Sequence, residues 1–159
     1  MEHNLDARVN AYRPDLADIK LQDIVDAEHY VEGELGVVDV PAITVRAKPD
    51  ITELAITEII YGEEIYIFEQ KNGWAWVQGL KDKYVGYVPI NTVKVGFRKI
   101  SHIVSHARTF LFDAPDIKTI PSTILSMGTR LDIFDETQVG DLRFLITRDQ
   151  LNKFILKFS

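Results

Sequence analysis

The chain contains an internal repeat, and this repeat limits the folds open to it more than any other feature. A shift of 66 positions places residues 49–68 on residues 115–134 without a gap. Pro49 then matches Pro115, Gly62 matches Gly128, and apolar residues lie on apolar residues between them. Such a period is typical of a duplicated supersecondary unit or small domain. It is too long for one solenoid turn and suits a small β-barrel, so the sequence predicts two related barrels.

Short apolar segments separated by turn residues predict strands in both copies. In the first copy, Asn72-Gly73 stands between two such segments and is a strong hairpin sequence. The expected strands of the first copy are residues 37–40, 43–45, 54–61, 64–69, 74–77 and 84–88, followed by one helical turn at 89–93. Those of the second copy are residues 103–104, 109–112, 130–134, 142–145 and 154–158.

The pattern predicts three segments: an N-terminal arm at residues 1–36, a first barrel at 37–96 and a second, divergent barrel at 97–159. In the arm, Asp15 follows Pro14 and is a good N-cap, which predicts a helix of one or two turns. Residues 22–31 fit either a helix or a strand. The predicted fold class is therefore all-β, with an arm that is extended or forms a short helix.

The end of the second barrel carries large apolar side chains that a frayed tail would not need. We expect these residues to close the barrel, with alternate members facing inward. They are Phe144, Phe154, Ile155 and Phe158.

Composition excludes several functions. The 159 residues include no cysteine, which excludes disulfides, cysteine metal sites and a cysteine nucleophile. No apolar run approaches ~18 residues, and the residues after Met1 do not resemble a signal peptide. From the sequence we expect a cytoplasmic protein that does not bind membranes.

The distribution of charge argues against nucleic acid as a partner. The formal net charge is -6, and the 1–36 arm alone carries an excess of acidic side chains equal to that total. Nucleic-acid binding needs a basic footprint, and neither barrel has one. We therefore expect no nucleic-acid partner.

Polar candidates for catalysis or metal binding are weak. His102 and His106 have the spacing of a helical metal pair, but their segment is expected to be strand and turn and no third ligand is evident. Ser101 and Ser105 lack the Gly-x-Ser-x-Gly elbow of a nucleophilic serine. The adjacent pair Glu63 and Glu64 is expected to lie in a solvated turn. The sequence predicts no catalytic residue, no metal and no cofactor.

An aromatic face on the first barrel is the stronger candidate. If Ala75 faces the barrel interior, alternation places Trp74 and Trp76 on the outer face. Tyr84 and Tyr87 lie on the next strand, and such rings on an outer face often mark binding sites. Two interpretations stay open: an open ligand groove, or a face covered by the arm, the second barrel or another domain. The second repeat has Leu142, Phe144 and Lys157 at these positions, and we expect it not to share the role.

Four stretches of the first barrel carry a family resemblance: Val45–Pro49, Gly62–Ile65, Asn72–Val77 and Gly86–Val88. Together they resemble a bacterial SH3-type domain. In the arm, residues 5–8, 12–17 and 30–33 are similar to the N-terminal region of a group of NlpC/p60 cysteine peptidases. The resemblance implies an arm and two tandem SH3-like barrels ahead of a papain-like catalytic domain.

Peptidases of this group cut cell-wall stem peptides between D-glutamate and the diamino acid, often in cytoplasmic murein recycling. The resemblance implies that the first SH3-type domain packs on the catalytic domain and walls one end of the substrate cleft. Because the chemistry needs a cysteine, this chain is expected to be a non-catalytic region that targets the enzyme or shapes its substrate site. Its implied partners are a catalytic domain, in cis or in trans, and a murein peptide. The alternative is a stand-alone adaptor that binds a protein partner through the first barrel; a complete enzyme is a distant third.

Overall fold

The fold is all-β, as expected, in a computed structural model that describes residues 5–148 and 153–157. Two single 3₁₀ turns, Ile19–Leu21 and Ile90–Thr92, complete the regular structure of these residues. None of the helical segments found there is long or apolar enough to cross a membrane. The strands are β1 (Leu16–Asp18), β2 (His29–Val31), β3 (Glu34–Val38), β4 (Ala42–Arg46), β5 (Ala55–Ile60), β6 (Glu64–Lys71), β7 (Trp74–Gly79), β8 (Val85–Pro89), β9 (Val93–Val95), β10 (His102–Ile103), β11 (Arg108–Phe112), β12 (Thr123–Ser126), β13 (Arg130–Leu131), β14 (Ile133–Val139), β15 (Leu142–Thr147) and β16 (Phe154–Leu156).

The chain divides into two compact units. The first comprises residues 1–59 and 63–97, and the second comprises residues 60–62 and 98–159. The arm groups with the first unit, and β3 crosses the position predicted as the boundary between arm and barrel. The three segment limits drawn from the sequence stay predictions.

The first unit is built on a seven-stranded sheet with the order β5-β4-β8-β7-β6-β3-β9. The predicted hairpin between β6 and β7 is confirmed: Asn72 and Gly73 have φ values of 51° and 80°, as a type I′ turn requires. The predicted turn after β8 is also confirmed, as the 3₁₀ segment Ile90–Thr92. The core consists of small and branched side chains: Val38, Val45, Ile59, Ile65, Ile67, Ala75, Val77, Val88 and Val93.

The second unit repeats this strand order. Its main sheet runs β12-β11-β16-β15-β14, which corresponds strand for strand to β5-β4-β8-β7-β6. Gly62 and Gly128, which the repeat aligns, both have a positive φ, 79° and 88°. A positive φ favours glycine, which explains why the two repeats share a glycine at this position. The core of this unit contains Tyr61, Val104, Leu111, Leu125, Leu131 and Ile155.

The prediction of a helix that begins at Asp15 is wrong. Leu16–Asp18 forms β1, which pairs in parallel with β2, and the buried side chain of Ala17 favours this pairing. The cap lies three residues later, where the Asp18 carboxylate accepts a hydrogen bond of 3.1 Å from the Lys20 N–H. The ambiguous segment 22–31 contains a strand at its end, β2.

The second unit differs from expectation in two details. The strand predicted at 130–134 is broken at Asp132, which is buried and forms an ion pair of 3.2 Å with Arg148. In the register of β15 and β16, Phe144 lies opposite Leu156, so Leu156 rather than Lys157 corresponds to Tyr87. Strand β16 joins β11 and β15, as expected of a closing strand. Phe158 lies outside the described residues.

Candidate functional site

Strand β7 places side chains on two faces, as the alternation predicts. Ala75 and Val77 are buried in the barrel core, while Trp74 and Trp76 lie on the opposite face. The cross-strand partner of Trp76 on β8 is Tyr87. The outer face of β7 and β8 is therefore aromatic.

The arm covers part of this face. Trp76 is only 3% exposed and packs in a cluster with Ala11, Phe68 and Val85. Of the two interpretations left open by the sequence, the structure supports covering by the arm for Trp76. The physical reason is the size of the indole, because its large apolar surface would be exposed to water unless another segment packed on it.

Arg13 fixes the arm to the aromatic face. Its guanidinium carbon lies 4.3 Å from the centre of the Trp76 ring, in cation–π geometry. Its Nη1 donates to Glu69 Oε2 at 2.9 Å and to the Tyr87 hydroxyl at 3.1 Å. The Nε and Nη2 atoms donate to the Asp15 carboxylate at 3.0 and 2.8 Å. One side chain thus joins the arm to three strands, β6, β7 and β8.

These contacts shift the pKa values of Arg13 and Asp15. Burial alone would lower the pKa of the Arg13 guanidinium, but its hydrogen bonds to Asp15, Glu69 and Tyr87 together raise this pKa. The hydrogen bond from Arg13 in turn lowers the pKa of the Asp15 carboxyl group. Both pKa shifts favour the charged forms of Arg13 and Asp15.

Two backbone contacts hold the preceding part of the arm. The Val85 N–H donates to the Arg8 carbonyl at 2.8 Å. The Gln78 side-chain amide donates to the Val9 carbonyl at 2.9 Å. The arm is thus held on the barrel at several residues rather than through Arg13 alone.

Beside Arg13, the face opens into a cleft of about 550 Å³. Trp74 is half-buried there and Lys71 is exposed. Of the four predicted aromatic residues, Trp74, Trp76 and Tyr87 line the cleft, whereas Tyr84 does not. The cleft is lined by Arg13, Asp15, Pro49, Glu69, Lys71, Asn72, Trp74, Trp76 and Tyr87. It therefore combines ring faces with two carboxylates and two cations.

The charged residues of the cleft were not among the site residues predicted from the sequence. Glu69 lies opposite Trp76 and Lys71 lies opposite Trp74 across the hairpin. Because a two-residue turn fixes the pairing of both strands, counting outward from Asn72-Gly73 would have found both. Arg13 could not be found this way, since its approach depends on tertiary packing of the arm.

None of the polar candidates lines this cleft. His102 and His106 are exposed, and among the residues that the structure describes no group of three metal-ligating side chains occurs. The Ser101 hydroxyl accepts a hydrogen bond from the Ile133 N–H at 2.7 Å, a structural contact. The expected solvated turn is wrong for both glutamates: Glu63 is 8% exposed and lies 3.3 Å from Lys81 Nζ, and Glu64 begins strand β6.

Comparison with known proteins first defines the class of the first unit. Residues 45–93 match the sequence family described as "Bacterial dipeptidyl-peptidase Sh3 domain". No curated protein sequence is significantly similar to this chain. The chain thus contains an SH3-type domain of the bacterial kind.

Solved structures of three other proteins are similar to this chain. An NlpC/P60 family protein from Bacillus cereus ATCC 10987 is similar with a TM-score of 0.55 at 14% identity, over 77% of this chain and 54% of that one. NlpC2 from Trichomonas vaginalis has a TM-score of 0.36 at 13% identity, over 82% of this chain and 50% of that one. NlpC1 from the same organism has a TM-score of 0.36 at 11% identity, over 99% and 51%. The chain spans about half the length of these structures, and the similarity to the first shows a shared fold.

Proposed function

We propose that this chain is the non-catalytic region of a cell-wall peptidase of the NlpC/P60 type, and that its first unit binds and orients a peptidoglycan stem peptide. The observation that carries the proposal is the cleft beside Arg13, which stands on an SH3-type domain resembling those of NlpC/P60 family proteins. The proposed setting is the recycling of murein peptides in the cytoplasm.

The chemistry of the cleft suits such a peptide. A stem peptide carries carboxylates and an amine at short intervals, and the walls offer Lys71 and Arg13 beside Asp15 and Glu69. The Trp74 ring supplies an apolar surface on which the peptide backbone and short side chains can pack. Since the chain has no cysteine, the nucleophile comes from a catalytic domain, either in the same polypeptide or in a separate one.

A stand-alone adaptor is the second candidate, and one observation favours it. The first unit already holds one polypeptide segment, the arm, through hydrogen bonds to the Arg8 and Val9 carbonyls and through the Arg13 side chain on Trp76. A surface that binds one segment of its own chain in this way can bind a segment of a partner protein. In that case the cleft beside Arg13 would extend the same binding surface.

Replacement of Trp74 by alanine should weaken binding of the peptide L-Ala-γ-D-Glu-diaminopimelate by about tenfold or more, as loss of an interface aromatic does. Trp74 and Trp76 are the two tryptophans of the chain, and both line the cleft. Intrinsic fluorescence therefore reports on this site, and a titration of the full chain gives the dissociation constant. For the Trp74→Ala variant, which keeps only Trp76, calorimetry supplies the same constant.

Leu142→Ala is the matched control, because Leu142 holds the position of Trp74 in the second unit and is half-buried in the same way. We expect this variant to bind the stem peptide as the parent chain does. Equal loss of binding in both variants, or no saturable binding by the parent chain, would contradict the proposed site. Binding of a protein partner without binding of the peptide would instead support the adaptor.

The purified chain should release no product from the same stem peptide, because it carries no thiol nucleophile. Chromatography of the mixture after prolonged incubation measures free diaminopimelate. The control is an active NlpC/P60 peptidase under identical conditions. Reproducible cleavage that co-purifies with the chain would contradict the non-catalytic assignment.

A further inference from the structure

The charged side chains of the cleft beside Arg13 are not equally available to a ligand. The Nε and Nη2 atoms of Arg13 donate to Asp15. Its Nη1 atom donates to Glu69 and to the Tyr87 hydroxyl. All three nitrogen atoms therefore have acceptors within the protein, and the side chain is only 17% exposed. A ligand carboxylate would have to displace Asp15 or Glu69 to reach this arginine.

Lys71 is the second cation of the cleft, and its charge is more accessible. The residue is exposed, and its ammonium group forms no ion pair with any residue in the described ranges 5–148 and 153–157. Its charge acts on Asp15 only at longer range, as the last cause that lowers the pKa of that carboxyl group, whereas the hydrogen bond from Arg13 is the largest. Lys71 can therefore gain a partner from a ligand without losing one.

The part of the cleft around Arg13 disfavours a carboxylate. Asp15 and Glu69 share the single charge of Arg13, so this part carries a net negative charge. A bound anion would be repelled there, because like charges at short range raise its energy. Lys71 follows Glu69 by two residues on β6, roughly 7 Å further along the strand. An anionic group of a ligand is thus directed to Lys71.

The hairpin places Lys71 beside an aromatic surface. Lys71 and Trp74 flank the turn Asn72-Gly73 and are partners across the two strands. Residues directly opposite each other lie on the same face, with their Cβ atoms about 5 Å apart. Trp74 is half-buried and lines the cleft together with Lys71. The end of the hairpin therefore offers a cation next to a ring.

The second unit has no such pair. In its hairpin between β14 and β15, Val139 lies opposite Leu142, in the places of Lys71 and Trp74. A hairpin of this fold therefore forms with two aliphatic side chains at its end. The combination of a lysine and a tryptophan is a property of the first unit and its cleft.

We propose that Lys71 binds a carboxylate of the stem peptide while the neighbouring part of the peptide lies on the Trp74 ring. The inference rests on the proposed function, because it names the group that the first unit recognises in that ligand. A carboxylate forms a charge-assisted hydrogen bond with an ammonium group, which a neutral carboxamide cannot match. Lys71 thus makes the cleft distinguish a free carboxylate from the corresponding amide.

The test compares L-Ala-γ-D-Glu-diaminopimelate with three derivatives, in each of which one carboxylate is replaced by a carboxamide. Calorimetric titration of the full chain gives each dissociation constant. One derivative should bind about fivefold more weakly than the unmodified peptide, as expected for the loss of an exposed charge pair. The other two should bind as the unmodified peptide does. Equal weakening by all three amides would indicate a response to overall charge and would overturn the inference.

Three variants identify the residue. Lys71→Met removes the charge and should bind the unmodified peptide about fivefold more weakly. It should also bind the sensitive derivative and the unmodified peptide equally. Lys71→Arg keeps the charge and should bind within about twofold of the parent chain. Lys118→Met is the matched control, because Lys118 is an exposed lysine that does not line the cleft, and it should bind as the parent chain does.

Ionic strength gives a second readout that a disturbed hairpin would not reproduce. A rise in sodium chloride from about 0.05 M to about 0.5 M shortens the range of charge interactions. The affinity of the parent chain for the unmodified peptide should therefore fall more than that of Lys71→Met. The same salt dependence in both proteins would contradict a charge contact at Lys71.

The outcomes separate this inference from the proposed function. No saturable binding of the unmodified peptide by the parent chain would contradict the proposed function, and the inference would fall with it. Saturable binding that is equally tight in the parent chain and in Lys71→Met would overturn the role of Lys71 alone. A Lys71→Met variant that binds weakly but still distinguishes the same derivative would overturn that role as well, because its effect would then be structural.

Discussion

Replacement of Phe144 by alanine should lower the free energy of unfolding by about 3–5 kcal/mol, the range for removing a buried phenylalanine. Phe144 has no exposed surface, although it lies on the face of β15 opposite Leu145, which packs on the core of the second unit. Both faces of this strand are therefore covered. Loss of the ring would leave a cavity that neighbouring side chains cannot readily fill.

Urea unfolding followed by far-ultraviolet circular dichroism measures this change, with Phe110→Ala as the control. Phe110 is on β11 of the same sheet and is 43% exposed, so its loss should cost much less. Hydrogen exchange at the amides of β15 should rise in the first variant and not in the second. Similar stability of the two variants would show that the second unit is not packed around Phe144.

Replacement of Trp76 by alanine should cost about 3–5 kcal/mol as well, because the ring is buried between the arm and the barrel. The change removes the packing with Ala11, Phe68 and Val85, and it deprives Arg13 of its cation–π contact. The arm should then separate from the barrel more often. We therefore expect Trp76→Ala to be as destabilising as Ile67→Ala, which removes a core side chain of the same unit.

Thermal unfolding of both variants, together with limited trypsin digestion, distinguishes detachment of the arm from loss of stability in the barrel. In Trp76→Ala, cleavage after Arg8 and Lys20 should become much faster than in the parent chain. In Ile67→Ala, at a temperature well below its unfolding, these sites should be cleaved more slowly than in Trp76→Ala. If Trp76→Ala unfolds like the parent chain while Ile67→Ala is strongly destabilised, the indole is not clamped by the arm. The interpretation of the aromatic face as an open groove would then be correct.

Local sequence patterns predicted many strands and turns of both units because residues close in sequence determine these elements. The turn at Asn72-Gly73 and the positive φ at Gly62 and Gly128 depend on residues within a few positions. Alternation along β7 placed Ala75 inward and Trp74 outward, as observed. The repeat also anticipated the common strand order of the two sheets.

The arm could not be predicted in the same way, because its structure depends on distant residues. Leu16 and Ile19 have a helical spacing, yet Leu16–Asp18 forms a strand that pairs with β2 thirteen positions later. Trp76 is on the outer face that alternation predicts, but its burial comes from Ala11 and Arg13 of the arm. Tertiary packing overrode local preference at both places.

The most direct test of the proposed function is a nuclear magnetic resonance titration of the full chain with L-Ala-γ-D-Glu-diaminopimelate. The two indole N–H resonances belong to Trp74 and Trp76, and both residues line the cleft. We expect the Trp74 indole resonance and the amides of Glu69 and Lys71 to shift saturably, while the amides of β11 and β15 stay unchanged. Unchanged indole resonances, or shifts confined to the second unit, would contradict the claim that the first unit binds the stem peptide.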